Sequence, residues 1–223
     1  MRRFWRRAAL FLLKVVLGFY AFWIGSLILF RWVTPPTTGV HVQRRVESWF
    51  RKGPYEKRFT PVAMAKISPH LRHAVVAGED TRFYSHWGLD IEAMADAAID
   101  ATGKRKRLRG ASTLTQQLIK NLFFTTHGNP VRKVVEWTLA PAADFILGKE
   151  RVLELYLNLI EWGPGVYGAE AAARYHYHSP AAELTREQAA RLAACVPAPR
   201  RRRPAAMNHY GAIIENRMGQ MGY

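Results

Sequence analysis

One cysteine, Cys195, is all the thiol this chain has, so an intramolecular disulfide and a cysteine zinc cage are both excluded. Acid is scarce as well: 17 Asp and Glu stand against 33 Lys and Arg in 223 residues, a formal net charge of +16. None of the acids comes before Glu47. No stretch alternates apolar and polar residues for long enough to predict a buried strand, and no segment repeats. What the chain has in quantity is apolar, with 49% hydrophobic and 12% aromatic residues. That excludes a disordered tail protein, because such chains carry too little apolar surface to collapse. At this length one main domain is expected. The excess of positive charge asks for an acidic partner: nucleic acid, anionic lipid headgroups or a phosphorylated substrate.

Six of the basic residues, Arg2, Arg3, Arg6, Arg7, Lys14 and Arg31, precede residue 32, leaving 27 basic against 17 acidic, or +10, for residues 32–223. Between Arg7 and Arg31 Lys14 is the one charge, close enough to the edge to snorkel to the headgroups. About 20 apolar residues cross the ~30 Å hydrocarbon layer, so Ala8 to about Trp32 is expected as a spanning helix. A cleaved signal peptide also starts with basic residues, but its apolar region is only ~7–15 residues long and ends at a small-x-small site. This run is longer and continues into Arg31-Trp32-Val33-Thr34-Pro35-Pro36, so an uncleaved anchor is expected. The basic N-terminal flank puts residues 1–7 in the cytoplasm and the remaining ~190 residues across the membrane. A domain there does not meet the chromosome, and nucleic acid drops out as a partner.

Residues 33–60 hold Pro35, Pro36, Gly39, Gly53 and Pro54 and are expected as a membrane-proximal linker with a short helix near His41–Phe50, leaving 61–223 as the domain. From Ser68 apolar residues recur at spacings of three and four, the signature of helix. Helices are predicted from Ser68, over Ile91 to about Thr102, and over Thr113–Leu122, Val131–Leu147, Lys149–Ile160, Val166–Tyr177 and Arg186–Cys195. Ser68 before Pro69, and Thr185 with Gln188 three residues on, are plausible caps. Residues 103–110 form a basic loop between glycines, either solvated or in contact with lipid phosphates at up to about 1 kcal/mol per basic residue. The run Arg200–Arg203 has the same two readings, and solvation is the expected one.

Three constellations could carry chemistry. Glu79 and Asp80 end an apolar helix, where burial and the negative end of the helix dipole both raise a carboxyl pKa; the pair is either a general base or a surface cap. Ser112, Thr113, Thr115, Gln116 and Gln117 open another helix and are either sugar or phosphate ligands or a polar cap, with Lys120 one to two turns on. Arg132 and Glu136 at i,i+4 are either an ordinary helix ion pair worth a few tenths of a kcal/mol or a phosphate clamp beside a second carboxylate.

In order and spacing, Glu79-Asp80-x-x-Phe83-x-x-His86-x-Gly88, Gly110-x-Ser112-Thr113-x-Thr115-Gln116-Gln117-x-x-Lys120-Asn121, Arg132-Lys133-x-x-Glu136, Lys149-x-Arg151-Val152-Leu153-Glu154-x-Tyr156-Leu157-Asn158 and Gly163-x-Gly165-x-Tyr167-Gly168-Ala169-Glu170-Ala171-Ala172 resemble the peptidoglycan glycosyltransferases of glycosyltransferase family 51. Among these the monofunctional biosynthetic transglycosylases fit best, because so short a chain leaves no room for a transpeptidase domain. The resemblance covers residues ~70 to ~200.

The resemblance implies a mainly α fold: a lysozyme-like glycosyltransferase domain with a small membrane-associated lobe, preceded by one transmembrane helix. It implies a bacterial inner-membrane enzyme with a periplasmic catalytic domain, acting on lipid II and the growing lipid-linked glycan strand, with cell-wall synthesis or division proteins as further partners. By the same resemblance Glu79 takes the proton from the acceptor 4-hydroxyl and Glu136 sits near the departing pyrophosphate. Lys120, Arg132 and Lys133 neutralise that pyrophosphate, and Asp80, Ser112, Thr113, Gln116, Gln117 and Asn121 bind substrate. A divalent cation, Mg or Mn, would be shared with the substrate phosphates rather than caged by protein, and no organic cofactor is implied. One departure is Gly128, where many relatives carry Arg; His127 or the 104–109 loop would have to supply that contact. A glycan-cleaving hydrolase and a non-enzymatic scaffold are the competing readings. The first needs no cations for a pyrophosphate, and the second has no use for Glu79, Lys120 and Glu136 together.

Overall fold

Three of the helices start on caps visible in the sequence. Ser68 accepts a hydrogen bond from the His70 amide ahead of Pro69, while Thr113 with Gln116 and Thr185 with Gln188 form reciprocal capping boxes that satisfy amides left free at a helix start. The computed structural model describes residues 1–51, 53–102 and 112–223. Its helices are α1 (Arg2–Phe30), α2 (Gly39–Trp49), α3 (Pro69–Glu79), α4 (Ile91–Thr102), α5 (Leu114–Phe123), α6 (Pro130–Leu147), α7 (Lys149–Leu159), α8 (Ala169–Tyr177), α9 (Arg186–Ala193) and α10 (Asn208–Gln220). The expected mainly helical class holds.

Helix α5 lies between α6 and α7, and α3 packs on α9 and α10. Leu71, Ala74, Val75, Leu114, Leu118, Ile119, Leu155 and Leu192 are fully buried between them. Fully burying one such Leu or Val contributes about 1.5–3 kcal/mol, so the residues carrying chemistry are mounted on a rigid frame.

The expectation of no strand needs correcting. A small sheet runs in the order β1 (Arg58–Phe59), β3 (Val166–Tyr167), β2 (Glu161–Gly163), with β1 parallel and β2 antiparallel to β3. Strands of two or three residues are too short to display alternation, and β2 and β3 are buried throughout. Helix α8 accordingly begins at Ala169 rather than Val166: Gly168 takes φ +84° against the backbone of Asn158, a conformation closed to most side chains. Helix α10 was not expected from the sequence. Residues 33–60, expected as a linker with a short helix near His41–Phe50, do carry that helix as α2 (Gly39–Trp49), which packs on α5, and also β1, which joins the sheet.

Helix α1 has an 18-residue window of mean hydropathy 2.0 and is mostly exposed, as a membrane segment is. It starts at Arg2, earlier than Ala8, so the basic residues continue the helix. Its last third docks on the body. Trp23 lies 5.8 Å and 5.1 Å from the rings of Phe123 and Phe124, Tyr20 Oη is 2.7 Å from Thr138 Oγ1, and Arg31 Nη1 donates to the Ile146 carbonyl at 3.3 Å. Residue 20 therefore pairs with 138 and residue 31 with 146, so α1 and α6 run the same way. Pro130 lies eight residues before Thr138, about 12 Å of helix at 1.5 Å per residue. On that helix Val131, Val134, Trp137 and Phe145 leave apolar surface exposed.

Candidate active site

Glu79 is the last residue of α3 and Asp80 its cap. Asp80 is buried and turned inward: His86 Nε2 lies 3.0 Å and 3.1 Å from its two carboxylate oxygens, and the Leu114 amide donates to Oδ2 at 2.9 Å. The loop that follows is held from below. Lys149 Nζ donates to the His86 carbonyl at 2.6 Å and pairs with buried Asp144 at 2.8 Å, which also accepts from Thr115 Oγ1 at 2.9 Å. At Gly88, with φ +76°, a Cβ would collide with the α6 backbone at Ala140 and Pro141, so only glycine lets the loop close on that helix. The end of α3 is thus fixed to α5, α6 and α7.

Glu79 projects from this clamp. Its Oε2 accepts from Gln117 Nε2 at 2.8 Å, and Gln117 Oε1 accepts from the fully buried Tyr156 hydroxyl at 2.9 Å. Burial raises the Glu79 pKa; the Gln117 hydrogen bond and the charges of Lys120 and Arg202 oppose that, and Asp80 adds to it. Glu79 lines a cavity of about 550 Å³ facing α10. Gln117, Lys120, Asn121 and Tyr156 line a second of about 410 Å³, whose far wall holds Arg44, Glu161, Arg200 and Arg201.

The other constellation is on the first two turns of α6. Buried Glu136 lies 3.3 Å from Arg132 Nη1 and 3.3 Å from Lys133 Nζ. Lys133 also donates to Ser112 Oγ at 2.9 Å, and Arg132 Nη1 to the Thr125 carbonyl at 2.9 Å. Among the described residues Arg132 Nε and Glu136 Oε1 are buried without a hydrogen-bond partner. Lys120 connects the two constellations: burial lowers its pKa, Glu136 and Glu79 pull it back up, and Arg132 and Lys133 push it down.

Of the residues singled out, Glu79 lines the first cavity and Gln117, Lys120 and Asn121 the second, joined by the Glu79–Gln117 hydrogen bond, while Ser112, Arg132, Lys133 and Glu136 come together at the start of α6. Thr113 and Gln116 are buried, with Thr113 bonded to the Gly88 carbonyl and Gln116 to the Thr113 amide. Asp80 is likewise held inside the protein, and it and Thr113 also line the Glu79 cavity. A cation shared with substrate phosphates needs no protein cage, and among the described residues no three His, Cys, Asp or Glu cluster to make one, while the two oxygens of Glu136 face cations. That donor set does not fit a resident metal. The 104–109 loop lies outside the described residues. From the Arg200–Arg203 run, Arg200 reaches Glu47 at 3.4 Å and Arg202 donates to the Ala194 carbonyl at 2.6 Å, so these two are engaged rather than merely solvated. Tyr156 has a part that sequence reasoning did not assign, although a phenol on the apolar face of Val152–Leu159 must find a partner.

A family model described as Transglycosylase matches residues 45–220. The chain belongs to the transglycosylase family. All the site residues of this transglycosylase lie inside the matched span, and α1 lies before it; the family's lysozyme-like helical fold is the one expected from the sequence. A biosynthetic peptidoglycan transglycosylase of Pseudomonas entomophila is 42% identical over 213 residues, covering 94% of this chain and 90% of its own length. One from Pseudomonas putida W619 is 43% identical over 210 residues, covering 90% and 89%, and one from Pseudomonas syringae pv. syringae is 40% identical over 208 residues, covering 93% and 86%.

Proposed function

We propose that this transglycosylase is a peptidoglycan glycosyltransferase that polymerises lipid II into β-1,4-linked glycan strands and releases undecaprenyl pyrophosphate. The observation that carries the reading is the pairing, through Lys120, of a carboxylate of raised pKa with a half-buried cationic cluster, on the helix that runs beside the apolar α1.

Glu79 takes the proton of the acceptor sugar 4-hydroxyl on its free oxygen. The acceptor oxygen bonds to the anomeric carbon of the donor as the bond from that carbon to the pyrophosphate oxygen breaks, and the lipid pyrophosphate leaves with the electron pair. One displacement inverts the centre, so an α-linked donor gives a β linkage. A base whose pKa lies nearer the working pH is the more effective catalyst. The developing phosphate charge meets Lys120, Arg132 and Lys133 in a partly desolvated site, where preorganised charge acts most strongly. Glu136 keeps Arg132 and Lys133 aimed, and no step runs through a metal.

Anchoring fits the substrate. The cluster sits on α6, the helix that docks on α1 through Thr138 and Ile146, so a pyrophosphate carried on a polyprenol meets cations on an element packed against the anchor. The basic flank of α1 supports a cytoplasmic N-terminus and a domain outside the bacterial inner membrane.

Purified full-length protein incubated with lipid II is expected to give glycan strands on a gel, and Glu79→Gln to give none. Strands from Glu79→Gln, or soluble fragments released by the wild type from purified cell wall, would overturn the assignment.

A further inference from the structure

Among the described residues Gln117 is the one side chain that hydrogen-bonds Glu79. An amide can present either end to a neighbour, and the two ends have opposite effects on a carboxylate: the NH₂ group stabilises the ionised form, whereas the carbonyl oxygen repels it. The choice at Gln117 is made on its far side. Tyr156 is fully buried, its hydroxyl has Gln117 Oε1 as its one hydrogen-bond partner among the described residues, and the separation is 2.9 Å. We propose that Tyr156 is a positioning residue for the base: its hydroxyl donates to Gln117 Oε1, which turns the amide NH₂ onto Glu79 Oε2 and leaves Oε1 to receive the proton. The inference rests on the reading of Glu79 as the base.

The chain of donors has one direction, from phenol to amide oxygen and from amide nitrogen to carboxylate. Burial, with the charges of Glu79 and Asp80, pushes the Tyr156 phenol well above its ordinary value, so it keeps its proton and stays a donor. It also bonds to a residue that opens α5, so a single hydroxyl aligns the ends of α3 and α5 from α7. The charged groups that face Glu79 from the other elements are Asp80 beside it, Lys120 on α5 and Arg202 after α9, with Arg82, Asp90, Asp96 on α4 and Arg217 on α10 around the shared cavity. Removing the phenol oxygen alters none of these, so a change in the titration of the base reports on the relay itself.

The test is the pH dependence of lipid II polymerisation by full-length protein. In Tyr156→Phe the amide is free to turn, and kcat is expected to fall about tenfold, less than the roughly 10²–10⁴-fold that a positioned base contributes as a whole, because the base itself is still present. KM stays within about twofold, and the acidic limb of the kcat profile moves to higher pH. With 3-fluorotyrosine at position 156 the ring keeps its shape and becomes a stronger donor, so the limb moves to lower pH. Opposite shifts from these two substitutions support the relay, since loss of packing does not change sign. A limb that stays in place in the fluorinated protein overturns it, as does a kcat loss in Tyr156→Phe with an unmoved limb. Glu79→Gln in the same assay separates the two claims: if it polymerises, the base assignment falls and takes the relay with it. If it is dead while both Tyr156 proteins titrate like the wild type, the relay alone falls.

Discussion

Glu79 and Glu136 are the two carboxylates of the site, and they are held by different chemistry. The hydrogen-bond partner of Glu79 is a neutral amide that is itself fixed by a neutral phenol. Glu136, buried on α6, faces Arg132 and Lys133 at 3.3 Å each. A neutral partner orients a carboxylate without fully offsetting its burial, so Glu79 stays proton-hungry; cationic partners reverse the division of labour, and the carboxylate serves to organise them. On the proposed mechanism the same residue type supplies proton chemistry at Glu79 and arranges electrostatics at Glu136. What decides the role is whether the groups nearest each carboxylate carry charge.

Substitutions that remove charge from each end should break this comparison in different ways. Glu79→Gln is expected to lower the polymerisation rate by about 10³-fold, within the usual range for a positioned general base, with no loss of melting temperature because a buried, uncomfortable charge has been removed. Lys120→Ala, at the junction, is expected to cost about 10²-fold in kcat, comparable to losing one donor to a developing anion; turnover of lipid II into strands measures both. Glu136→Gln should show the opposite balance. It leaves Arg132 and Lys133 facing each other without their counter-charge and is expected to destabilise the fold by about 2 kcal/mol, below the 3–5 kcal/mol of a fully buried pair because both cations are partly exposed. Thermal unfolding checks this, and a Glu136→Gln protein as stable as Glu79→Gln would erase the distinction.

The sequence made one kind of feature plain and hid another. Helices with caps and spacings of three and four were legible: the limits of α4 and the caps of α3 and α9 come from local chemistry that two or three residues announce. The site's motifs were legible as a set for the same reason, since their spacing survives in the chain. The partner of each polar group was not. The spacing of Thr113 and Gln116 marks Gln116 as a capping partner, but nothing local aims Gln117 at Glu79; its angular position on α5 against α3 and α7 does so. Asp80 and Glu79 are adjacent and point to different fates because one is caught by His86 and the Leu114 amide. The strands were invisible because all three are too short to show a period, and because β1 finds its partner β3 more than a hundred positions away. Helix α10 carries two glycines and a weak apolar pattern, so its place was set by α3 and α9 rather than by its own residues.

The finest distinction between the two ends is a pH effect on stability, and its sign follows from the direction of the shift. The folded state raises the Glu79 pKa above the ~4.3 of an unperturbed Glu. Below that value the carboxyl is protonated in both folded and unfolded chains, and burial costs nothing. As the pH climbs through the raised folded value the unfolded chain ionises freely while the folded one resists, so stability is lost and stays lost at higher pH. Glu79→Gln has no such loss, and its advantage in melting temperature over the wild type should be absent near pH 4 and grow towards pH 7. Buried His41, pushed down to about 4, has the opposite dependence. Its unfolded ring takes up a proton near ~6.5 while the folded one does not, so stability falls as the pH drops through that range. It does so in both proteins and cancels in the difference. An advantage that is flat with pH would mean that Glu79 titrates as an ordinary surface carboxylate, and the contrast between its neutral setting and the charged setting of Glu136 would then have no chemical consequence.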